Sequence, residues 1–188
     1  MPITDIIQRT AVCDVIPASP LLSRADIEID TVGKEYKLRE ALAPVQNNYD
    51  FILIDCPPAL SILTVNALVA ADEIIIPAQA DIFSLQGIGQ LYNTIGTVKK
   101  YCNPALNIKG ILLTRHNSRT IFSRDLADTI SQTAAQLKTK IFKTVIRENI
   151  SLKEAQTNQQ DIFTYEPKSN AAYDYNKFIN ELLESEVL

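Results

Sequence analysis

Histidine, cysteine and glycine are all scarce in this 188-residue sequence, and each scarcity closes off a kind of chemistry. With a single histidine and three widely separated cysteines (Cys13, Cys56 and Cys102), a zinc site built from His and Cys is excluded. Those thiols are expected to be free and buried, as in a reducing cytoplasm. The five glycines, Gly33, Gly87, Gly89, Gly96 and Gly110, form no glycine-rich turn. No apolar run reaches the roughly 18 residues of a membrane span. The opening MPITDIIQRT has no basic stretch leading into an apolar one, so no secretory signal reads there and a cytoplasmic location is expected. Excess positive charge is also lacking: a formal net charge of -4 excludes a uniformly basic nucleic-acid surface and leaves only local basic patches.

What is present is ordinary globular composition, 46% hydrophobic and 21% charged, enough for one domain over residues 1–188. Strand-length apolar runs alternate with amphipathic stretches. Strands are predicted over 12–16, 51–54, 73–76 (ended by Pro77), 108–114 and 141–146. Helices are predicted over 34–46, 60–70, 85–101, 122–137 and 170–184. This alternation implies an α/β fold: a doubly wound, mainly parallel sheet with helices on both faces. The unbroken apolar strands agree with burial on both sides. In such a sheet ligands bind beyond the carboxyl ends of the strands, so residues 55–58, 77–81, 114–119 and 147–154 are the ones to interrogate.

The most informative stretch runs YDFILIDCPPAL, residues 49–60. An apolar strand ending in Asp55 has the form of a Walker B acid, whose carboxylate holds the water shell of Mg²⁺. The prolines Pro57 and Pro58 fix φ twice and remove two donors, giving a stiff exit from the sheet. Read from these residues alone, Asp55 is equally a cap for the next helix. Ser61 and Thr64 read as first-turn helix residues, His116 as an exposed loop residue, and Glu154 either as an anchor for the loop after Asn149 or as a plain surface glutamate.

Several segments in order resemble the ParA/Soj family of partition ATPases. They are DVIPASPLLSRADIEI, YDFILIDCPPALSILTVNALVAADEIIIPAQADIFSLQGIGQL, GILLTRHNSRT, FKTVIRENISLKEAQ and IFTYEPKSNAAYDYNKFINEL, which together span nearly the whole chain. The resemblance implies a P-loop NTPase-like fold and a dimer that holds ATP and Mg²⁺ between subunits. It further implies nonspecific DNA binding, with release on hydrolysis stimulated by a ParB-like partner. By that resemblance Asp55 is the Walker B acid and Cys56, Pro57 and Pro58 begin switch II. Thr114, Arg115, Ile146, Arg147, Glu148 and Asn149 lie on the nucleotide's base side. Arg119 matches a DNA-contacting position, with Arg124 and Lys153 as further candidates; Ser151 stands where some members carry a second DNA-binding arginine.

The family's phosphate-binding loop needs glycines whose N–H groups cradle phosphates and a Lys followed by Ser or Thr. Gly33-Lys34 is the only Gly-Lys pair, and Glu35 follows it. The opening strand, P-loop, first helix and second strand of the family therefore have no counterpart, and the fold is expected to be N-terminally truncated with exposed apolar flanks. Without that loop, these residues alone are expected neither to bind MgATP tightly nor to hydrolyse it. Three readings follow: a partition ATPase represented without its P-loop, a non-catalytic pseudo-ATPase that engages a ParB-like partner or an intact ParA, and a MinD-like membrane-cycling ATPase. The third is disfavoured, because FINELLESEVL carries three glutamates and no Lys or Arg after Lys177, unlike a basic membrane-surface helix.

Overall fold

The structure is a computed structural model that describes residues 2–28, 30–57, 59–116, 129–130, 134–135 and 139–184. It divides into two compact units, Met1–Glu73 with Asn93–Asn107, and Ile74–Tyr92 with Ile108–Leu188.

The first unit opens on a short antiparallel hairpin, β1 (Gln8–Arg9) and β2 (Asp14–Val15), with Gln8 opposite Val15 and Arg9 opposite Asp14. Thr10 closes the turn: its hydroxyl donates to the Cys13 carbonyl at 2.6 Å and accepts from the Val12 and Cys13 N–H groups. The strand expected over 12–16 is thus cut to two residues, because Val12 belongs to the turn and is 93% exposed. Three helices follow, α1 (Ala25–Glu28), α2 (Lys37–Leu42) and α3 (Ile62–Ala70). Ile3, Leu42 and Val45 form the core here, with Leu38, Tyr49, Ile54 and Ala70 packed against them. Ser61 is the N-cap of α3, its hydroxyl accepting from the Leu63 N–H. At the other end of α3 the buried Asn103 amide donates to the Leu68, Val69 and Ala71 carbonyls, groups that a helix end leaves without intrahelical donors.

The strand expected over 51–54 does not form, although the run is as apolar as any in the chain. Phe51, Ile52 and Leu53 are 61%, 41% and 93% exposed. A strand exists only where neighbours take up its backbone donors and acceptors, and among the described residues no segment pairs with this one.

The second unit carries the parallel sheet. β3 (Glu73–Ala78) leads through α4 (Ile82–Tyr101) into β4 (Asn107–Leu113). The Asn107 N–H meets the Asp72 carbonyl at the start of the pair, and the Thr114 N–H meets the Ala78 carbonyl at its end, so the strands run the same way. On its other side β4 bonds to residues 140–148, through Phe142 N–H to Ile111 O and Ile146 N–H to Leu113 O, with parallel bridges Ile111–Ile141 and His116–Arg147. The strand predicted over 141–146 is therefore present as bridges rather than as a regular ladder. β3 continues through Pro77 instead of stopping before it, because a strand paired on one side loses nothing where its free edge lacks an N–H.

Gly110 marks the tightest point of the sheet. A Cβ there would lie 2.8 Å from the Phe142 ring and 3.1 Å from the Lys140 carbonyl. Phe142 in turn meets Phe178 edge-on at 5.0 Å, within a core of Leu112, Phe142, Ile146 and Phe178. Three helices complete this unit: α5 (Ile150–Thr157), α6 (Ile162–Tyr165) and α7 (Asn170–Glu184). The predicted helix over 122–137 lies largely outside the described residues, of which 129, 130, 134 and 135 are helical.

Candidate functional site

The residues singled out from the sequence fall in both units, and each set stands by itself. In the first unit Asp55 follows the unpaired apolar run and is exposed, as are Cys56 and Pro57. The Cys56 thiol is pushed up from its ordinary value, first by desolvation and then by the neighbouring Asp55 carboxylate, so it stays protonated near neutral pH. Pro58 lies outside the described residues. The three cysteines are free, as expected, but Cys13 and Cys56 are exposed and Cys102 is half-buried. The expectation of buried thiols fails because Cys13 sits on the exposed hairpin and Cys56 follows a run with no strand partner.

Gly33 has a left-handed backbone, φ 79°, and opens a 3-10 turn over Lys34–Tyr36. The Lys34 ammonium rests on Asp30 at 3.3 Å. This pair is a turn and its ion pair, in keeping with its sequence context. For ATP and Mg²⁺ the described residues therefore offer the Asp55 carboxylate without a backbone cradle or a lysine aimed at phosphates. Among them no group of three His, Cys, Asp or Glu side chains converges as a metal site.

The second unit brings more together. At the carboxyl end of β4, Thr114 closes the ladder to Ala78, and Arg115 adopts a left-handed φ of 49°. Glu148 leaves the 140–148 segment beside it. Its Oε1 accepts from Arg115 Nη2 at 3.3 Å and lies 3.7 Å from Lys153 Nζ. Asn149 is the N-cap of α5, its side chain accepting from the Ser151 N–H at 2.8 Å. Arg115, Glu148 and Lys153 thus converge from a strand end, the facing strand end and the first turn of a helix. Ile146, placed with them by sequence, is 2% exposed and belongs to the core. Arg119 and Arg124 lie outside the described residues.

Arg147 turns the other way, onto the C-terminal helix. Its Nε and Nη2 donate to Asp174 at 2.9 and 2.6 Å, and its backbone N–H reaches the same carboxylate at 3.0 Å. Seven residues along α7, Glu181 accepts from the Lys143 and Thr144 N–H groups at 2.7 and 2.8 Å. Two carboxylates on one helix face therefore satisfy N–H groups along the outer side of the 140–148 segment. Burial would raise both carboxyls, but the hydrogen bonds they accept outweigh it and hold each below its ordinary value.

Sequence reading missed this clasp. The signal was there: Asp174 and Glu181 fall on the same stripe as Ala171, Phe178 and Leu182, where a carboxylate needs a partner. His116 is half-buried and bridged to Arg147 rather than exposed in a loop, because its backbone continues the β4 ladder. Glu154 accepts from the Tyr165 hydroxyl at 3.3 Å and so ties α5 to α6.

A family profile described as an AAA domain matches residues 1–108. The chain is 40% identical over 183 residues to the sporulation initiation inhibitor protein Soj of Bacillus subtilis, covering 96% of this chain and 71% of that protein. It is 36% identical over 185 residues to the chromosome partitioning protein ParA of Myxococcus xanthus, covering 97% of this chain and 64% of that one. Among solved structures it is similar to cobyrinic acid a,c-diamide synthase from Mycobacterium smegmatis with bound ADP and magnesium. That match has a TM-score of 0.80 and 30% identity and covers 97% of this chain and 67% of the other. The chain therefore spans about two thirds of the length of these relatives.

Proposed function

Because the chain belongs to the ParA/Soj family of partition ATPases, we propose that it serves in DNA partition, and that these 188 residues carry DNA-facing and base-side elements without a phosphate grip of their own. The observation that supports this reading is that Arg115 and Glu148, expected on the nucleotide's base side, converge at the carboxyl end of the parallel sheet with Lys153, an expected DNA contact, so the two sets adjoin. That end is where open α/β sheets bind ligands. Exposed cations there suit the phosphodiester backbone, which is held by charge without reading bases. Arg119, in the motif HNSRT, adds a further contact by family likeness. A ParB-like partner and dimerisation belong to the same reading.

ATP and Mg²⁺ enter through the family, with Asp55 as the acid that would face the metal's water shell. The 188 residues alone do not bind MgATP in this proposal, since no backbone cradle or phosphate lysine accompanies Asp55. Titration calorimetry of MgATP into the chain tests it: no saturable heat is expected, and micromolar binding overturns the statement. Duplex DNA titrations at low salt test the other half, with Arg119→Glu expected to weaken binding; unchanged binding removes Arg119 from the contact.

One observation favours a second reading, in which the chain acts as a non-catalytic partner of an intact ParA. The exposed run over 51–53, unpaired among the described residues, is a surface onto which another chain can add. Co-purification with an intact relative, and a drop in that relative's ATPase rate, separates this reading from the first.

A further inference from the structure

The cation cluster at the sheet end holds its own anion. We propose that Glu148 is an internal stand-in for a nucleic-acid phosphate, which keeps Arg115 and Lys153 poised together and competes with a phosphodiester for them. This deepens, and rests on, the DNA-binding reading above.

Both cations share a single carboxylate oxygen, Oε1, at 3.3 and 3.7 Å. Two positive charges against one negative leave the cluster with a net charge of one. The side chains of Arg115, Glu148 and Lys153 are 57%, 47% and 66% exposed, so a polyanion reaches all three. Lys153 sits in the first turn of α5, where the helix's positive pole works against a cation. Among the described residues, other acids of this unit make their contacts elsewhere. Glu154 accepts from Tyr165, Glu166 from the Ser151 hydroxyl, and Asp174 holds Arg147. Glu148 is the acid that faces Arg115 and Lys153.

The pairing is also weak enough to exchange. Exposed ion pairs of this length are readily displaced by water, salt or a better acceptor. A phosphodiester offers two unesterified oxygens, one for each cation, whereas Arg115 and Lys153 both meet Glu148 through Oε1. Arg115 is held at a left-handed φ of 49°, a conformation an arginine adopts only where the surroundings impose it. From that backbone its guanidinium meets Glu148 Oε1 at 3.3 Å.

The test uses the full 188-residue chain and a fluorescein-labelled duplex of arbitrary sequence, followed by anisotropy at several salt concentrations. Removing the competing charge with Glu148→Gln is expected to tighten binding by about twofold to fivefold, the scale of one displaced surface pair. It is also expected to steepen the fall of affinity with salt, as more phosphates are neutralised. Glu148→Asp, which keeps the charge, stays near the parent, and adding Arg115→Gln to Glu148→Gln cancels the gain. A thermal scan and far-UV circular dichroism confirm that each variant folds; if Glu148→Gln does not, Glu148→Ala is the substitute. Parent and Glu148→Gln binding the duplex equally overturns the inference while leaving the DNA reading in place. Failure of both to bind at the lowest salt overturns the DNA reading and the inference with it. Equal tightening toward free inorganic phosphate, measured by competition, reassigns the site to small anions and also overturns the nucleic-acid inference.

Discussion

At the scale of single residues, the sheet's geometry depends on one missing methyl group. Gly110 lets the Phe142 ring approach to 2.8 Å from where a Cβ would stand, closer than a real Cβ allows, and the Lys140 carbonyl to a tight 3.1 Å. Neither neighbour yields easily, since Phe142 is 2% exposed and locked edge-on to Phe178, while the carbonyl accepts the Ile111 N–H. Gly110→Ala is therefore expected to destabilise the chain by about 1–3 kcal/mol, the usual cost of overpacking a filled core. Urea denaturation followed by circular dichroism measures it, and a midpoint equal to the parent's shows that the strand shifts without cost. Arg147 gives a second residue-scale expectation. Its side chain and backbone together direct three hydrogen bonds to Asp174, which is almost fully buried. Arg147→Ala removes two of the three and leaves a buried carboxylate with its backbone bond alone. The expected loss is about 1.5–3 kcal/mol, typical of hydrogen bonds to a charged group. Arg147→Lys recovers part of the charge but not the two-pronged geometry, and is expected to fall between the two.

At the scale of elements, α7 works as a clasp on the sheet's edge. A parallel edge strand exposes a row of N–H groups, and proteins blunt such edges to avoid pairing with other chains. Here Asp174 and Glu181 cover the Lys143, Thr144 and Arg147 donors. Both carboxyls sit below their ordinary values of 3.8 and 4.5 in the folded chain. A depressed folded value means that the unfolded chain binds protons first as the solution is acidified. The clasp's contribution is therefore complete above the ordinary values and is lost as the pH falls through the lowered folded ones. Denaturation midpoints measured between pH 7 and pH 3 are expected to drop on the acid side. In Glu181→Gln, which has no proton to gain there, the drop is expected to be shallower. Equal acid sensitivity in parent and variant rules Glu181 out as a contributor. The elements themselves were mostly legible in the sequence: the spacing of Tyr173, Phe178, Ile179 and Leu182 predicts α7, and the apolar run before Thr114 predicts β4. Hairpin limits and the bridge-only segment over 140–148 were not legible, because they depend on which partner supplies hydrogen bonds. For the same reason the convergence of Glu148 with Arg115 and Lys153 was hidden: the residues were marked, but their mutual distances come from the register of two parallel strands.

At the scale of the whole molecule, the run over 51–54 governs how the chain behaves in solution. Its sequence is that of a buried parallel strand, apolar at every position, yet Phe51 and Leu53 are 61% and 93% exposed and no described segment pairs with it. Only Ile54 is drawn into the core of its unit, against Ile3, Leu42 and Val45. An exposed apolar segment with no described strand partner is the feature that adds strands from other chains. The hydrophobic residues Leu21, Ile27 and Val32 of the same unit are exposed as well, at 71%, 82% and 105%. Self-association of the 188-residue chain is therefore expected to grow with concentration. In sedimentation velocity the weight-average mass rises across a dilution series, whereas a single monomeric boundary at every concentration refutes the expectation. The variant Leu53→Lys places a charge where a partner strand would pack and is expected to shift the distribution toward monomer. The same charge at Tyr173, an exposed aromatic on α7, is expected to leave the distribution unchanged. If both substitutions act alike, general surface hydrophobicity drives the association rather than pairing along 51–54. If only Leu53→Lys acts, the segment is the adhesive one, and a chain able to supply a strand to it is the partner to seek.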